Sequence, residues 1–242
     1  TDGIDNAGSI ELTGGTLSSA ITNNAGETSI TGDVENNDVS IDQKSVTIES
    51  TGELTTKANL VTATDGIANE GDLNLNTGAL ASDISGNGTT NILDDVTSAK
   101  TIEQTTLTVA SAKTFANTGS VTVDTLTNAG TVTNADTKTI TVNTALANTS
   151  TITNDGILTI DGVTENAGTI NGTGTLELNE NFENKGTIEQ NVITLATGKV
   201  LTNDRNKSIT VNTTLTNNGE INNQGTLNVY GENNLGLITD AE

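Results

Sequence analysis

The sequence predicts an all-β parallel solenoid, and three observations carry that prediction. Apolar pairs recur at near-even steps, an Asn-x-Gly motif runs in phase with them, and residues that break such coils are scarce. The pairs are Val121/Val123, Ile140/Val142, Leu158/Ile160, Leu176/Leu178, Ile193/Leu195, Ile209/Val211 and Leu227/Val229. In the numbering, the steps between successive first members are 19, 18, 18, 17, 16 and 18. Two apolar residues one position apart mark a strand with one buried face. A repeat this short fits one coil of a β-helix, in which each coil covers the next.

The second signal reads apolar-x-Asn-x-Gly-x-apolar. It occurs at Ile4-Asn6-Gly8-Ile10, Ile67-Asn69-Gly71-Leu73, Phe115-Asn117-Gly119-Val121 and Leu126-Asn128-Gly130-Val132. It returns at Phe182-Asn184-Gly186-Ile188 and Leu215-Asn217-Gly219-Ile221, with variants around Asn148 and at Asn166-Gly168-Ile170. From Asn128 through Asn148, Asn166, Asn184 and Asn203 the steps are 20, 18, 18 and 19. Asn bonds its own backbone at a bend and tolerates left-handed angles. Gly supplies positive φ or lets one backbone pass close to another. Stacked coils set equivalent residues about 4.7–4.8 Å apart, within reach of an amide ladder. The structural residues expected at the bends are therefore Asn128, Gly130, Asn148, Asn166, Gly168, Asn184, Gly186, Asn217 and Gly219.

The coil is expected to hold about 18–20 residues in two or three short strands. That gives about 13 coils over 242 residues. At about 4.8 Å per coil they form a rod of roughly 60 Å. Residues 115–230 are the most regular. Residues 1–114 read as the same solenoid with slipped or lengthened bends, and the phase is hard to follow between 33 and 64. Asp94 through Lys100 reads as a loop. Residues 231–242 read as a tail or partial cap over the last coil. No linker divides the chain, so a single solenoid over 1–242 is expected.

Composition narrows the chemistry. The formal net charge is −22, from 31 acidic and 9 basic residues. That opposes nucleic acid, whose affinity comes from phosphate neutralisation, and anionic lipid. No stretch of about 18 apolar residues offers a membrane span. Without Cys or His the commonest thiol, zinc and general-base chemistries are missing. Phe115, Phe182 and Tyr230 are the only aromatic residues. Both Phe residues fall in the inward slot of the Asn motif, and one Tyr does not build a sugar cleft. The Asp94/Asp95 pair and the Glu177, Glu180, Glu183 group read as solvated acidic surface rather than a catalytic pair. No calcium-binding nonapeptide or EF-hand loop is present. No cofactor is expected, beyond diffuse collection of divalent cations. Arg205-Asn206-Lys207 reads as a bulged loop, too small to recruit a polyanion. Thr-x-Thr pairs suggest an ice-matching ladder. In one register they run Thr131/Thr133, Thr151/Thr153, Thr169/Asn171, Thr187/Glu189, Glu220/Asn222 and decay into charge, so no flat ice-binding face is expected.

The stretch from Leu215 to Val229, LTNNGEINNQGTLNV, resembles the coils of filamentous haemagglutinin-type exoproteins and autotransporter passengers. The likeness is good over 115–230 and looser elsewhere. It implies a right-handed parallel β-helix on a secreted bacterial surface protein, an adhesin or its stalk. No functional residue carries over, because the matching positions are structural. The family's N-terminal secretion domain and C-terminal translocator barrel have no counterpart in the sequence, which also opens at Thr1. A processed or excised segment is therefore expected. The expectation for function is a non-catalytic extracellular rod facing an unknown glycan or protein ligand. The alternative is a filament or surface-layer subunit that self-associates end to end through open coils. The third and least favoured reading is a β-helix enzyme acting on polysaccharide.

Overall fold

The computed structural model describes residues 3–239. It is an all-β parallel solenoid of short strands, and all the strand pairings considered below are parallel. The chain falls into two compact units, residues 1–121 and 122–242.

Within the second unit each coil contributes three strands, and equivalent strands stack into three columns. The first column, here the threonine sheet, contains Thr131–Asn134, Thr151–Asn154 and Thr169–Asn171, then residues 187–190 and 208–211, then Thr226–Val229. The second, the aliphatic sheet, runs from residues 139–142 through Ile157–Ile160 and Thr175–Leu178 to residues 192–195 and 214–217. The third, the asparagine sheet, contains residues 147–148, Thr164–Asn166, Phe182–Asn184, Val200–Asn203 and Glu220–Asn223. Strand Leu237–Thr239 extends that column by pairing with residues 220–222. The tail expected from 231 onward is thus strand at 232–234 and 237–239, and residues 240–242 lie outside the described residues.

Alternation places one side chain of each pair inside. Ile152, Ile170, Ile188 and Ile209 are buried behind the threonine sheet, and Leu158, Leu176 and Ile193 behind the aliphatic sheet. Each such side chain contributes about 1.5–3 kcal/mol on burial. Phe182 is core in this unit, whereas Tyr230 is exposed.

The seven apolar pairs do not form one column. Leu176 pairs with Ile193, but Ile193 pairs with Leu215 and not with Ile209. Ile209 instead pairs with Ile188, and Leu227 with Ile209, both in the threonine sheet. The short step from Ile193 to Ile209 is therefore a change of column. A register shift between Gln190 and Val192 lies just before it. The same correction moves Glu220, which pairs with Val200 in the asparagine sheet. The position after Thr187 in the threonine sheet is Ser208, then Thr226.

The first unit obeys the same rule with more variable coils. Ile30 pairs with Ile48, Val34 with Leu54 and Ile41 with Val61, and the last two steps are longer than the first by two positions. These unequal steps are why the phase between 33 and 64 is hidden in the sequence. Ile84 pairs with Ile102, and Phe115 is fully buried. The stretch read as a loop after Asp94 contains a strand, Val96–Ser98, paired to Phe115 through Asn117.

Candidate functional site: an asparagine ladder behind a hydroxyl face

At the inner edge of the asparagine sheet the amides form a continuous ladder. Asn128 donates to Asn148 Oδ1 at 2.9 Å, Asn148 to Asn166 at 2.8 Å and Asn166 to Asn184 at 3.0 Å. Asn184 then donates to Asn203 at 2.8 Å, and Asn203 to Asn223 at 2.8 Å. Asn128, Asn148, Asn166, Asn184 and Asn203 are all buried. A buried amide without a partner costs about 1–3 kcal/mol, so each rung depends on the one above it.

The second amide hydrogen has an equally regular target. Asn128, Asn148, Asn166, Asn184 and Asn203 donate to the main-chain oxygens of Thr151, Thr169, Thr187, Ser208 and Thr226, at 2.9, 3.2, 3.4, 3.2 and 3.1 Å. The interior ladder therefore fixes the backbone of the first residue of the threonine sheet in each successive coil.

The predicted bend residues separate on this basis. Asn128, Asn148, Asn166 and Asn184 share the ladder. Asn217 does not: it pairs with Leu195 in the aliphatic sheet and donates to the carbonyls of Leu235 and Leu237. The true next rung is Asn223, in the adjacent Ile221-Asn-Asn223-Gln-Gly225 match to the same motif. Two consecutive copies of the motif fall in one coil, and only the register tells them apart.

The glycines work through close approach rather than left-handed φ. Gly168, Gly186 and Gly219 are outside the positive-φ set. A Cβ on Gly186 would collide with the Gly168 carbonyl oxygen, and one on Gly168 with that of Ser150. The N–H groups of Gly130, Gly186 and Gly219 donate to the Oδ1 of the Asn two residues earlier, at 3.1, 3.3 and 3.0 Å. Gly168 instead donates to the main-chain oxygen of Asn148. Left-handed residues serve a different turn, in which Thr137, Gly198 and Asn206 precede Lys138, Lys199 and Lys207. Arg205-Asn206-Lys207 is one of these turns, closed by Lys207 N–H on Asp204 O at 3.0 Å.

A second polar device was not anticipated. Where the residue at the inner Asn position of one coil has positive φ and sends no amide inward, a Gln from the next coil reaches across it. Asn154 donates to Gln190 Oε1 at 2.9 Å, past the coil that turns at Gly172 with φ 121°. In the first unit Asn69 donates to Gln104 at 2.6 Å across the coil of Gly86, and Asn6 to Gln43 at 2.7 Å across that of Asn23. Gly86 and Asn23 also have positive φ, 112° and 102°. The available signal was the triplet Ile-Asp/Glu-Gln at residues 41–43, 102–104 and 188–190. Asn69 Oδ1 has no partner because its neighbour in the preceding coil is Ile48.

Charge gathers on the outer side of the asparagine sheet. Lys185 bonds both Glu165, at 2.8 Å, and Glu183, at 2.9 Å, and these carboxylates raise its pKa. Lys199 lies 2.6 Å from Glu180, and this bond lowers the Glu180 pKa below the ordinary carboxylate value. In the first unit Lys113 holds Asp94 in the same way, while Asp95 accepts the Thr114 N–H. The adjacent acids thus serve separate partners. Among the described residues no three acidic side chains converge to hold a metal ion. An open groove of about 450 Å³ lies beside Val163, Glu165, Glu183 and Val200.

Comparison with family models, curated proteins and solved structures returns no match.

Proposed function

We propose that this chain is a non-catalytic, load-bearing segment of an extracellular bacterial adhesin or stalk, of the filamentous haemagglutinin or autotransporter-passenger type. The observation that carries the reading is the unbroken asparagine ladder from Asn128 to Asn223. It ties coil to coil with buried side-chain bonds added to the backbone bonds, a construction suited to length and resistance to extension. The carboxylates nearest the open groove are held in ion pairs by Lys185, an arrangement that supports a solvated surface over an acid/base pair.

Single-molecule pulling of the intact chain tests the mechanical reading. Stepwise coil-by-coil rupture is expected, and an entropic, featureless extension would refute it. Incubation with a panel of neutral and acidic polysaccharides tests the absence of catalysis: reducing-end release would refute it.

A further inference from the structure

We infer that the threonine sheet of the second unit is an ice-binding face. In true register its first outward position is Thr131, Thr151, Thr169, Thr187, Ser208 and Thr226, a hydroxyl in every coil. The second outward position is Thr133, Thr153 and Asn171, then Glu189, Thr210 and Asn228. Glu189 is the only charge in these two columns, although the whole chain has a formal net charge of −22. Of the decay expected from sequence, only the last step, Glu220/Asn222, belongs to another sheet; Asn171 and Glu189 keep their places in the second column, and the hydroxyl series continues unbroken in the first.

The array is two-dimensional. In the first column a hydroxyl repeats about every 4.8 Å along the stack, and about 6.6 Å away within a strand the second column adds hydroxyls at Thr133, Thr153 and Thr210. Each outward residue flanks a buried one, as at Ile152, Ile170, Ile188 and Ile209, and the first-column residues are half-buried or exposed, whereas Asn171 Oδ1 in the second column is buried. A Thr offers a methyl and a hydroxyl on a stiff β-branched stem, with little rotamer freedom to lose on contact.

A second and independent observation is the support behind the face. From Thr151 to Thr226, the carbonyl of each residue in the first column receives an amide from the asparagine ladder. The positions that must be periodic are the ones the interior pins. Preorganisation of this kind reduces the entropy lost on binding.

The occupant follows from what the face contains and lacks. A regular water lattice is matched by evenly spaced neutral hydroxyl and methyl groups. A polysaccharide surface calls for aromatic platforms, and in this unit Phe182 is buried while Tyr230 lies outside both columns. A basic protein or polycation would be drawn to the glutamates of the asparagine sheet instead.

The test is partition of the intact chain into slowly growing ice, with inhibition of ice recrystallisation as a second readout. The wild type is expected to enrich in ice. Thr169→Lys and Thr187→Lys should each lower that enrichment by about tenfold, equivalent to about 1.4 kcal/mol. Thr202→Lys, on the outer side of the asparagine sheet, should leave it unchanged. Circular dichroism matching the wild type establishes that each variant is folded. Exclusion of the folded wild type from ice would overturn the inference, as would an equal loss in Thr202→Lys. Retention on crystalline cellulose or chitin, abolished by Thr169→Lys without any ice enrichment, would assign the face to polysaccharide and overturn it too. These readouts are separate from pulling, so the stalk and the ice face stand or fall independently.

Discussion

Replacing Asn166 by Asp tests the polarity of the ladder with an almost isosteric change. The Asn166 amide donates to Asn184 Oδ1 at 3.0 Å, Gly168 O at 3.2 Å and Thr187 O at 3.4 Å, while its Oδ1 accepts from Asn148. An aspartate keeps the acceptor and loses the donors. In its charged form it sets a carboxylate oxygen against Asn184 Oδ1, in a site with no solvent exposure. Burial and the facing oxygen both raise its pKa. A rise of about 3 units from about 3.9 corresponds to about 4 kcal/mol. The protonated form can still donate to Asn184 and loses only the two longer bonds, about 1–2 kcal/mol together. Because the folded pKa is raised, the stability tied to the protonated form is fully present below about pH 3.9 and is lost as pH rises through the folded value. Relative to wild type, Asn166→Asp should cost about 1–2 kcal/mol at pH 3 and about 5–6 kcal/mol at pH 7. Urea unfolding followed by circular dichroism at both pH values provides the measurement, with Asn166→Ala as the pH-independent comparison. A penalty for Asp that is the same at pH 3 and pH 7 would refute the reasoning.

Three further outcomes are expected. Gly186→Ala should destabilise by about 1–3 kcal/mol, because its methyl meets the Gly168 carbonyl rather than a movable side chain; loss of amide protection at Thr187 in hydrogen exchange would locate the damage. Gln190→Leu should cost about 1–2 kcal/mol by removing one acceptor of the Asn154 amide, which keeps its bond to Thr175 O at 2.8 Å; denaturant unfolding checks this, and an unchanged midpoint would contradict it. Lys199→Met should let the Glu180 carboxyl rise toward its ordinary pKa, as seen by carboxyl NMR titration. The wild-type pair contributes above the ordinary carboxylate pKa and is lost as pH falls through the depressed one, so only the wild type should show that acid-side loss.

Much of the scaffold was legible because strand alternation and coil length leave a periodic mark. The inward Ile and Leu positions, the buried Phe182 and the rungs from Asn128 to Asn203 all follow from it. Asn217 makes the expected bend with Gly219 but stands in another column, because two Asn-x-Gly copies follow closely in one coil, at Asn217 and Asn223, and only stacking tells them apart. The Gln clamps escaped because they join positions two coils apart in the chain, across a coil with no distinctive composition.

The sequence by itself determined the solenoid, the approximate length of its coil and the residue types of its interior. Those depend on burial and alternation, which act along the strand. Only the tertiary structure decided which apolar pair stacks on which. The aliphatic sheet and the last two coils of the threonine sheet, at Ile209/Val211 and Leu227/Val229, present the same apolar-x-apolar pattern. A short coil from Leu176 to Ile193, followed by a longer one from Ile193 to Leu215, therefore moves the apparent repeat from one sheet to another without disturbing it. Once that register is set by stacking, the apolar pairs divide between two sheets, and one column of hydroxyls runs from Thr131 through Ser208 to Thr226 on one face.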